Sequence, residues 1–180
     1  MAEPLRPTPA KTFGRKNWFL VQTLSGYTAG TGPTVAEMTA TSSLDVTRIL
    51  FADGAPMPDQ STNQAEQQRR WGDTESYQFT GTTTYSGGDL QYAFNPQGVA
   101  LADDVKLWEK ISTGGQWFLV RRLAVVRSVA PVAGQFVDVF PADLGPSIPM
   151  ESGDSEGAEA AAKCTFTVYN KPLFKVAIAA

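Results

Sequence analysis

The chain of 180 residues is 42% hydrophobic and 18% charged, and 15 Lys and Arg against 18 Asp and Glu give it a net charge of −3. This length suits one compact domain. The hydrophobic content argues against a wholly disordered chain, and the lack of a basic surplus argues against a protein whose main task is to bind nucleic acid. The absence of histidine and the single cysteine, Cys164, exclude His-dependent catalysis, His-ligated metals and an intrachain disulfide framework.

The first segment, residues 1–12, is predicted to be an extended arm. Pro4, Pro7 and Pro9 disfavour a helix there and favour extended geometry in the residues before them. This end of the chain is locally basic, and its cations are Arg6, Lys11, Arg15 and Lys16.

The next segments combine strand patterns with a long polar stretch. Apolar and β-branched runs predict strands within residues 13–24 and 46–51. Residues 52–72 are rich in Gly, Pro, Asp, Asn and Gln, so we expect a long loop of the kind that is usually functional or mobile. Alternation over residues 77–94, interrupted by two glycines at 87 and 88, predicts a β-hairpin.

A single helix is predicted from the spacing of Leu101, Val105 and Trp108, and the glycines at 114 and 115 end it. Further strands are predicted over residues 117–126 and 136–140, and an acidic loop over 151–159 precedes a final alternating region. Many short strands and one helix predict a mostly antiparallel β-sandwich or barrel with one flanking helix and long loops. We expect residues 1–180 to form one domain.

Residues with catalytic or binding chemistry give no convincing site. Asp138 and Asp143 lie near a strand end, as a glycosidase pair would, but many carboxylate pairs exist in such a chain. The acidic loop lacks the ligand order of a calcium-binding EF-hand. The Arg69-Arg70 and Arg121-Arg122 doublets are interpreted as interface or surface pairs rather than a nucleic-acid site. We therefore expect no enzyme activity, no cofactor and no metal.

Membrane insertion is also not expected. No stretch approaches the roughly 18 uninterrupted apolar residues of a membrane span. The first residues lack the apolar core of a signal peptide, so we expect synthesis in a cytoplasm.

The layout as a whole resembles a known family. A basic proline-rich arm precedes LDVTRILFADG at residues 44–54, YSGGDLQY at 85–92, the helix DDVKLW at 103–108 and the strand KCTFTV at 163–168. This arrangement resembles the major tail tube proteins of long-tailed bacteriophages, in particular those that infect actinobacteria.

The resemblance implies a structural virion protein. Such proteins assemble as hexameric rings that stack into a hollow tail tube for DNA delivery, with the tape measure protein and tail terminator or baseplate proteins as further partners. Assembly in the host cytoplasm is expected. Contacts between subunits and rings are expected at the arm and at the 52–72 loop, through Arg6, Lys11, Arg15, Lys16, Arg69, Arg70 and Trp71.

The tube implies a channel face. We expect DNA to pass without specific binding, because a charge of −3 on each subunit gives no basic lining to hold phosphate. Hydroxyl and amide side chains of the predicted hairpin are expected to face this channel: Gln78, Thr80, Thr82, Thr84 and Gln91.

Other functions fit the same fold. One is a non-catalytic β-sandwich module that binds carbohydrate or protein, and another is a different virion tail or decoration protein. A small hydrolase would need a carboxylate pair at a defined separation. Fold alone does not separate these classes, because one sandwich hosts many functions.

Overall fold

A curled antiparallel sheet forms the body of the protein in the computed structural model, which describes residues 9–54, 57–72, 74–99, 102–150 and 158–180. The strands are β1 (Lys16–Val21), β2 (Leu44–Asp45), β3 (Asp59–Glu66), β4 (Gln78–Ser86), β5 (Gly88–Ala93), β6 (Gly115–Leu123), β7 (Phe136–Leu144), β8 (Ile148–Met150), β9 (Ala161–Val168) and β10 (Leu173–Ala177).

The order of strands along the main sheet is β2-β1-β6-β7-β9-β5. In addition, β10 pairs with β7 and β8 pairs with β9, while β3 and β4 form a separate two-stranded sheet. The mostly β fold with one main helix confirms the predicted class.

Both faces of the central strands are buried. Leu20, Leu119 and Phe140 pair across β1, β6 and β7 and pack with the inward residues of β5 and β9. Their neighbours Phe19 and Val120 lie on the other face, in a second apolar cluster. This double burial explains why residues 18–21 of β1 are continuously apolar instead of alternating.

The fold has a short helix, α1 (Val35–Thr39), and a main helix, α2 (Asp103–Ile111), and α2 confirms the helix prediction. Leu107 and Ile111 are buried in the apolar cluster that contains Phe140. The Trp108 ring stacks on Phe94 with ring centroids 4.2 Å apart. Leu101, which was expected in this helix, lies outside the described residues. None of the helices in the described ranges has the length and apolarity needed to cross a membrane.

Sequence analysis missed a second, short helix, α1 (Val35–Thr39). Its first turn is closed by a capping box: the Thr34 hydroxyl accepts the Glu37 N–H at 3.1 Å, and the Glu37 carboxylate accepts the Thr34 N–H at 2.8 Å. The same carboxylate accepts two hydrogen bonds from Ser25, at 2.7 Å each, which fastens the helix to the loop after β1.

We predict that this cap makes stability depend on pH. Burial opposes ionisation of Glu37, but the hydrogen bonds from Thr34 and Ser25 outweigh burial and lower its pKa from 4.5. A lowered folded pKa means that the stabilisation is present above the unfolded pKa and is lost as pH falls through the folded one. In urea unfolding followed by circular dichroism, Glu37→Ala should cost about 1 kcal/mol near neutral pH.

The deficit of Glu37→Ala relative to the wild type should shrink as pH falls below 4.5. Glu109→Ala, which removes an exposed carboxylate from α2, is the matched control and should cost less. A Glu37→Ala deficit that stayed constant across the acidic range would show that the carboxylate charge does not contribute.

Three sequence predictions were wrong in this part of the fold. Residues 46–50 form a turn, with the Ile49 and Leu50 N–H groups donating to Val46 O, so apolar side chains are buried at a spacing of three instead of two. Residues 59–66 of the predicted loop are strand β3. The predicted hairpin over residues 77–94 does not form, because β4 pairs with β3 and β5 pairs with β9.

Gly87 explains the failed hairpin. A Cβ atom at this position would clash with the backbone carbonyl of Phe166 on β9, so the chain lies directly against β9 as it passes from β4 into β5. Gly87 therefore marks a close approach between backbones, not a reversal of the chain.

Candidate assembly surfaces

Strands β3 and β4 form an exposed antiparallel pair, called here the ribbon. All of their residues are exposed except the half-buried Tyr85. Within the described part of the chain, no third strand pairs with either of them. A two-stranded ribbon is marginally stable in water on its own, and its outer edges present unpaired N–H and C=O groups. These properties suit a surface that is completed by another molecule.

A β-bulge changes which side chains share a face of the ribbon. Thr62 pairs with Thr83, but Gln64 pairs with Thr80, so β4 contains one extra residue there. Since Thr62 and Gln64 share a face of β3, Thr83 and Thr80 share it too, whereas Thr84 faces the other side. The expectation that alternation aligns one polar set on a single face is therefore wrong for Gln78, Thr80, Thr82 and Thr84.

Gln91, the fifth residue expected at the channel, lies apart from the ribbon. It is half-buried on β5, in the main sheet, where it pairs with Lys163 of β9. The five residues therefore do not form one surface of the isolated subunit.

The ribbon tip, residues 67–72 and 74–77, contains the predicted anchors. Arg69 and Arg70 are exposed, and the relative exposure of Trp71 is 105%, so its indole packs against none of the described residues. The tip continues the ladder of the ribbon, because the Gln67 N–H donates to Tyr77 O at 2.9 Å. With eight residues in β3 and a rise of about 3.3 Å per residue, the tip lies roughly 26 Å from the ribbon base.

The basic arm is exposed where it is described. Lys11 and Arg15 are exposed, and Lys16 opens β1 opposite Leu123. Phe13 is 98% exposed in a turn that places Gly14 at φ +66°. Arg6 lies outside the described residues, as do residues 151–157 of the acidic loop.

A groove of about 280 Å³ opens beside the ribbon base. Among the described residues, five apolar and three polar ones line it, and they define what we call the Trp18 groove: Lys16, Trp18, Thr47, Leu50, Phe51, Ala52, Met57 and Arg121. Met57 is 45% exposed, and its sulfur accepts a hydrogen bond from the Arg121 guanidinium.

Asp138 fixes Arg121 at the wall of the groove. One carboxylate oxygen, Oδ2, accepts Nη2 and Nε of Arg121 at 2.7 and 3.1 Å, and the other accepts the backbone N–H of Lys175 at 2.9 Å. The two side chains of the ion pair are 17% and 14% exposed. The guanidinium carbon also lies 5.9 Å from the centroid of Trp18, so cation and aromatic ring form one rigid wall.

Arg122 points to the opposite face of β6 and is 1% exposed. It donates to the Gln135 side chain at 2.9 Å and to Val129 O at 2.6 Å, and its guanidinium lies over Phe19. Burial lowers its pKa, against a smaller opposite effect of Asp45. The interpretation of Arg121-Arg122 as an interface or surface pair is therefore wrong for Arg122, which is buried on the face of β6 opposite to Arg121 and makes internal contacts.

The described residues do not assemble the chemical sites that were considered. Asp138 and Asp143 are separated by five positions on β7 and thus lie on opposite faces, which prevents them from acting as a pair. Burial raises the pKa of Cys164 to about 11 and that of Tyr92 to about 12. No group of three or more His, Cys, Asp or Glu side chains suited to a metal ion occurs in the ranges that the structure describes.

Sequence analysis did not find the Trp18 groove. Its lining comes from β1, β6 and the chain between β2 and β3, so its existence depends on strand register. The sequence did indicate a partner for Arg121. Leu119 and Leu123, two positions away on either side, predict that this face of the strand is buried, and a buried cation needs a counter-charge.

Comparison with known proteins gives one positive finding. The family model described as phage tail tube protein matches residues 5–180. The search of curated proteins finds no match.

Proposed function

The chain belongs to the phage tail tube protein family, and from this premise we propose that its copies assemble as stacked hexameric rings into the hollow tail tube of a long-tailed phage with an actinobacterial host. As a member of the family, the protein is a structural component of a phage tail. The observation that carries the proposal is the match over residues 5–180, almost the whole chain. We further propose that residues 1–180 act as one non-catalytic domain, assembled in the host cytoplasm.

The exposed ribbon supports assembly through contacts that differ on the two partners. A ribbon of one copy that binds the body of another makes a heterologous contact, which closes into rings or continues as a helical stack. The arm supplies a second projecting element, and its Lys11, Arg15 and Lys16 are exposed for contacts with a neighbour. The tube would also meet the tape measure protein and, at its ends, terminator or baseplate proteins.

DNA would pass through the channel without specific binding. Each subunit carries a net charge of −3, which is multiplied around a ring and opposes binding of DNA phosphates. Gln78, Thr80, Thr82, Thr84 and Gln91 stay our proposed channel residues, and their distribution over two faces of the ribbon and over β5 requires that neighbouring copies complete the lining.

Negative-stain electron microscopy of the purified protein tests the proposal. We expect hollow tubes of uniform diameter, with sixfold symmetry in end views, and no retention of duplex DNA by sedimented tubes at about 0.15 M salt. A protein that stays monomeric at high concentration would contradict the proposal. Tubes that bind duplex DNA tightly, with strong salt dependence, would contradict the proposed channel alone.

A further inference from the structure

We propose that the Trp18 groove of one copy receives the Trp71 side chain from the ribbon tip of a second copy. This inference rests on the proposed function, because it assigns a specific contact to the assembly of identical subunits. It connects the most exposed large aromatic side chain of the described chain with a groove of mainly apolar lining.

The groove suits an indole in size and chemistry. Its volume of about 280 Å³ accommodates one large aromatic side chain. Leu50, Phe51 and Met57 supply apolar contacts, and the Arg121 guanidinium offers a cation to the face of an incoming ring. Since Asp138 already holds Arg121 and balances its charge, docking would not have to order or neutralise this side chain.

The occupant must come from a different copy. Met57, in the groove lining, precedes the start of β3 by two residues, so the groove lies at the ribbon base. Trp71 lies at the far end, roughly 26 Å away along an extended strand pair. A paired ribbon cannot fold back over that distance onto its own base, whereas the tip of another copy can reach the groove.

Phe13 is the competing aromatic, because it is almost as exposed as Trp71. Tryptophan is favoured since it fills more of the groove and is the strongest partner for a guanidinium. Tryptophan is also enriched among the residues that dominate interface energies. Phe13 therefore provides the control for this proposal.

Disulfide trapping between two differently tagged variants tests the contact. One protein carries Arg69→Cys, an exposed position of the ribbon tip that leaves Trp71 in place, and the other carries Ala52→Cys, which places a thiol in the groove lining at an exposed position. Ala29→Cys is the matched control, since this exposed alanine lines a different groove. The native Cys164 is buried, and burial raises its pKa to about 11, so it does not compete. We expect a mixed disulfide dimer at least about tenfold more abundant with Ala52→Cys than with Ala29→Cys.

A second measurement avoids engineered thiols. Trp71→Ala should raise the critical concentration for polymerisation about 30-fold, as expected for a dominant interface residue. Phe13→Ala should change it less than about threefold. Both side chains are exposed, so neither substitution disturbs the core.

The outcomes separate this inference from the proposed function. If the wild type forms tubes but the Arg69→Cys and Ala52→Cys pair gives no more dimer than the control, the docking contact is wrong and the tube function stands. If Phe13→Ala impairs polymerisation and Trp71→Ala does not, the occupant is wrong. If the wild type forms no tubes, the proposed function fails, and absence of the mixed dimer would then count against the contact as well.

Discussion

Replacing residues 60–85 by Asn-Gly should abolish polymerisation, whereas the body of the subunit should stay folded. Asp59 and Ser86 are direct partners across the ribbon, so a two-residue Asn-Gly turn can join them without moving either strand. The removed residues of β3 and β4 are exposed, apart from the half-buried Tyr85, and the unfolding free energy should therefore change by less than about 1 kcal/mol. Assembly loses a whole contact surface, including the tip with Arg69, Arg70 and Trp71.

Electron microscopy and sedimentation measure the loss of tubes, and urea unfolding measures the retained stability. The shortened subunit keeps the Trp18 groove, so it should also bind wild-type tips and slow wild-type polymerisation when it is mixed in. Phe13→Ala serves again as the control with an exposed aromatic removed elsewhere. Normal tubes formed by the shortened protein would mean that the ribbon has no role in assembly.

We expect Asp138→Ala to lower the free energy of unfolding by about 3 kcal/mol. The substitution leaves the mostly buried Arg121 guanidinium without its counter-charge, and it also removes the acceptor of the Lys175 N–H. That N–H lies in a bulge of β10, where Lys175 has φ 53°, so the carboxylate replaces a backbone partner that the ladder does not provide. Urea unfolding monitored by tryptophan fluorescence measures the change.

Asp103→Ala is the matched control for this experiment. Its ion pair with Lys106 is 3.5 Å long and its side chains are 59% and 38% exposed, so the same substitution should cost less than about 1 kcal/mol. Asp138→Asn, which can still accept from Lys175, should fall between the two. Equal costs for Asp138→Ala and Asp103→Ala would refute the assigned role of burial.

Much of the fold could be predicted because several elements have a strong period. The stripe on α2 and the alternation that ends in β9 and β10 identify these elements from the order of their residues alone. The strand β3 could not be predicted in this way, because Asp59, Gln60, Ser61 and their successors are polar on both faces and leave no period of two. It pairs with β4, which lies beyond residues 67–77 in the sequence, and no local pattern reveals a pairing over that separation.

The interface predicted at Trp71 and the two arginines beside it rests on composition, because Trp and Arg are enriched at interfaces. The structure adds that these residues are exposed at the ribbon tip, and their role in an interface stays a prediction. The bulge at Thr80–Thr83 overturned the proposed single face, because one inserted residue reverses every side chain beyond it. The groove around Trp18 depends on the register of β1 against β6 and could not be predicted from either strand alone.

The exposed ribbon also bears on how subunits are stored before they assemble. Unpaired strand edges promote fibril formation when they are flat, apolar and uncharged. In this ribbon the bulge twists β4, and β3 carries Asp59 and Glu66 at its two ends with amide and hydroxyl side chains between. The same edges that suit ordered growth are thereby poor templates for amyloid stacking, and we expect free subunits to resist fibril formation at high concentration.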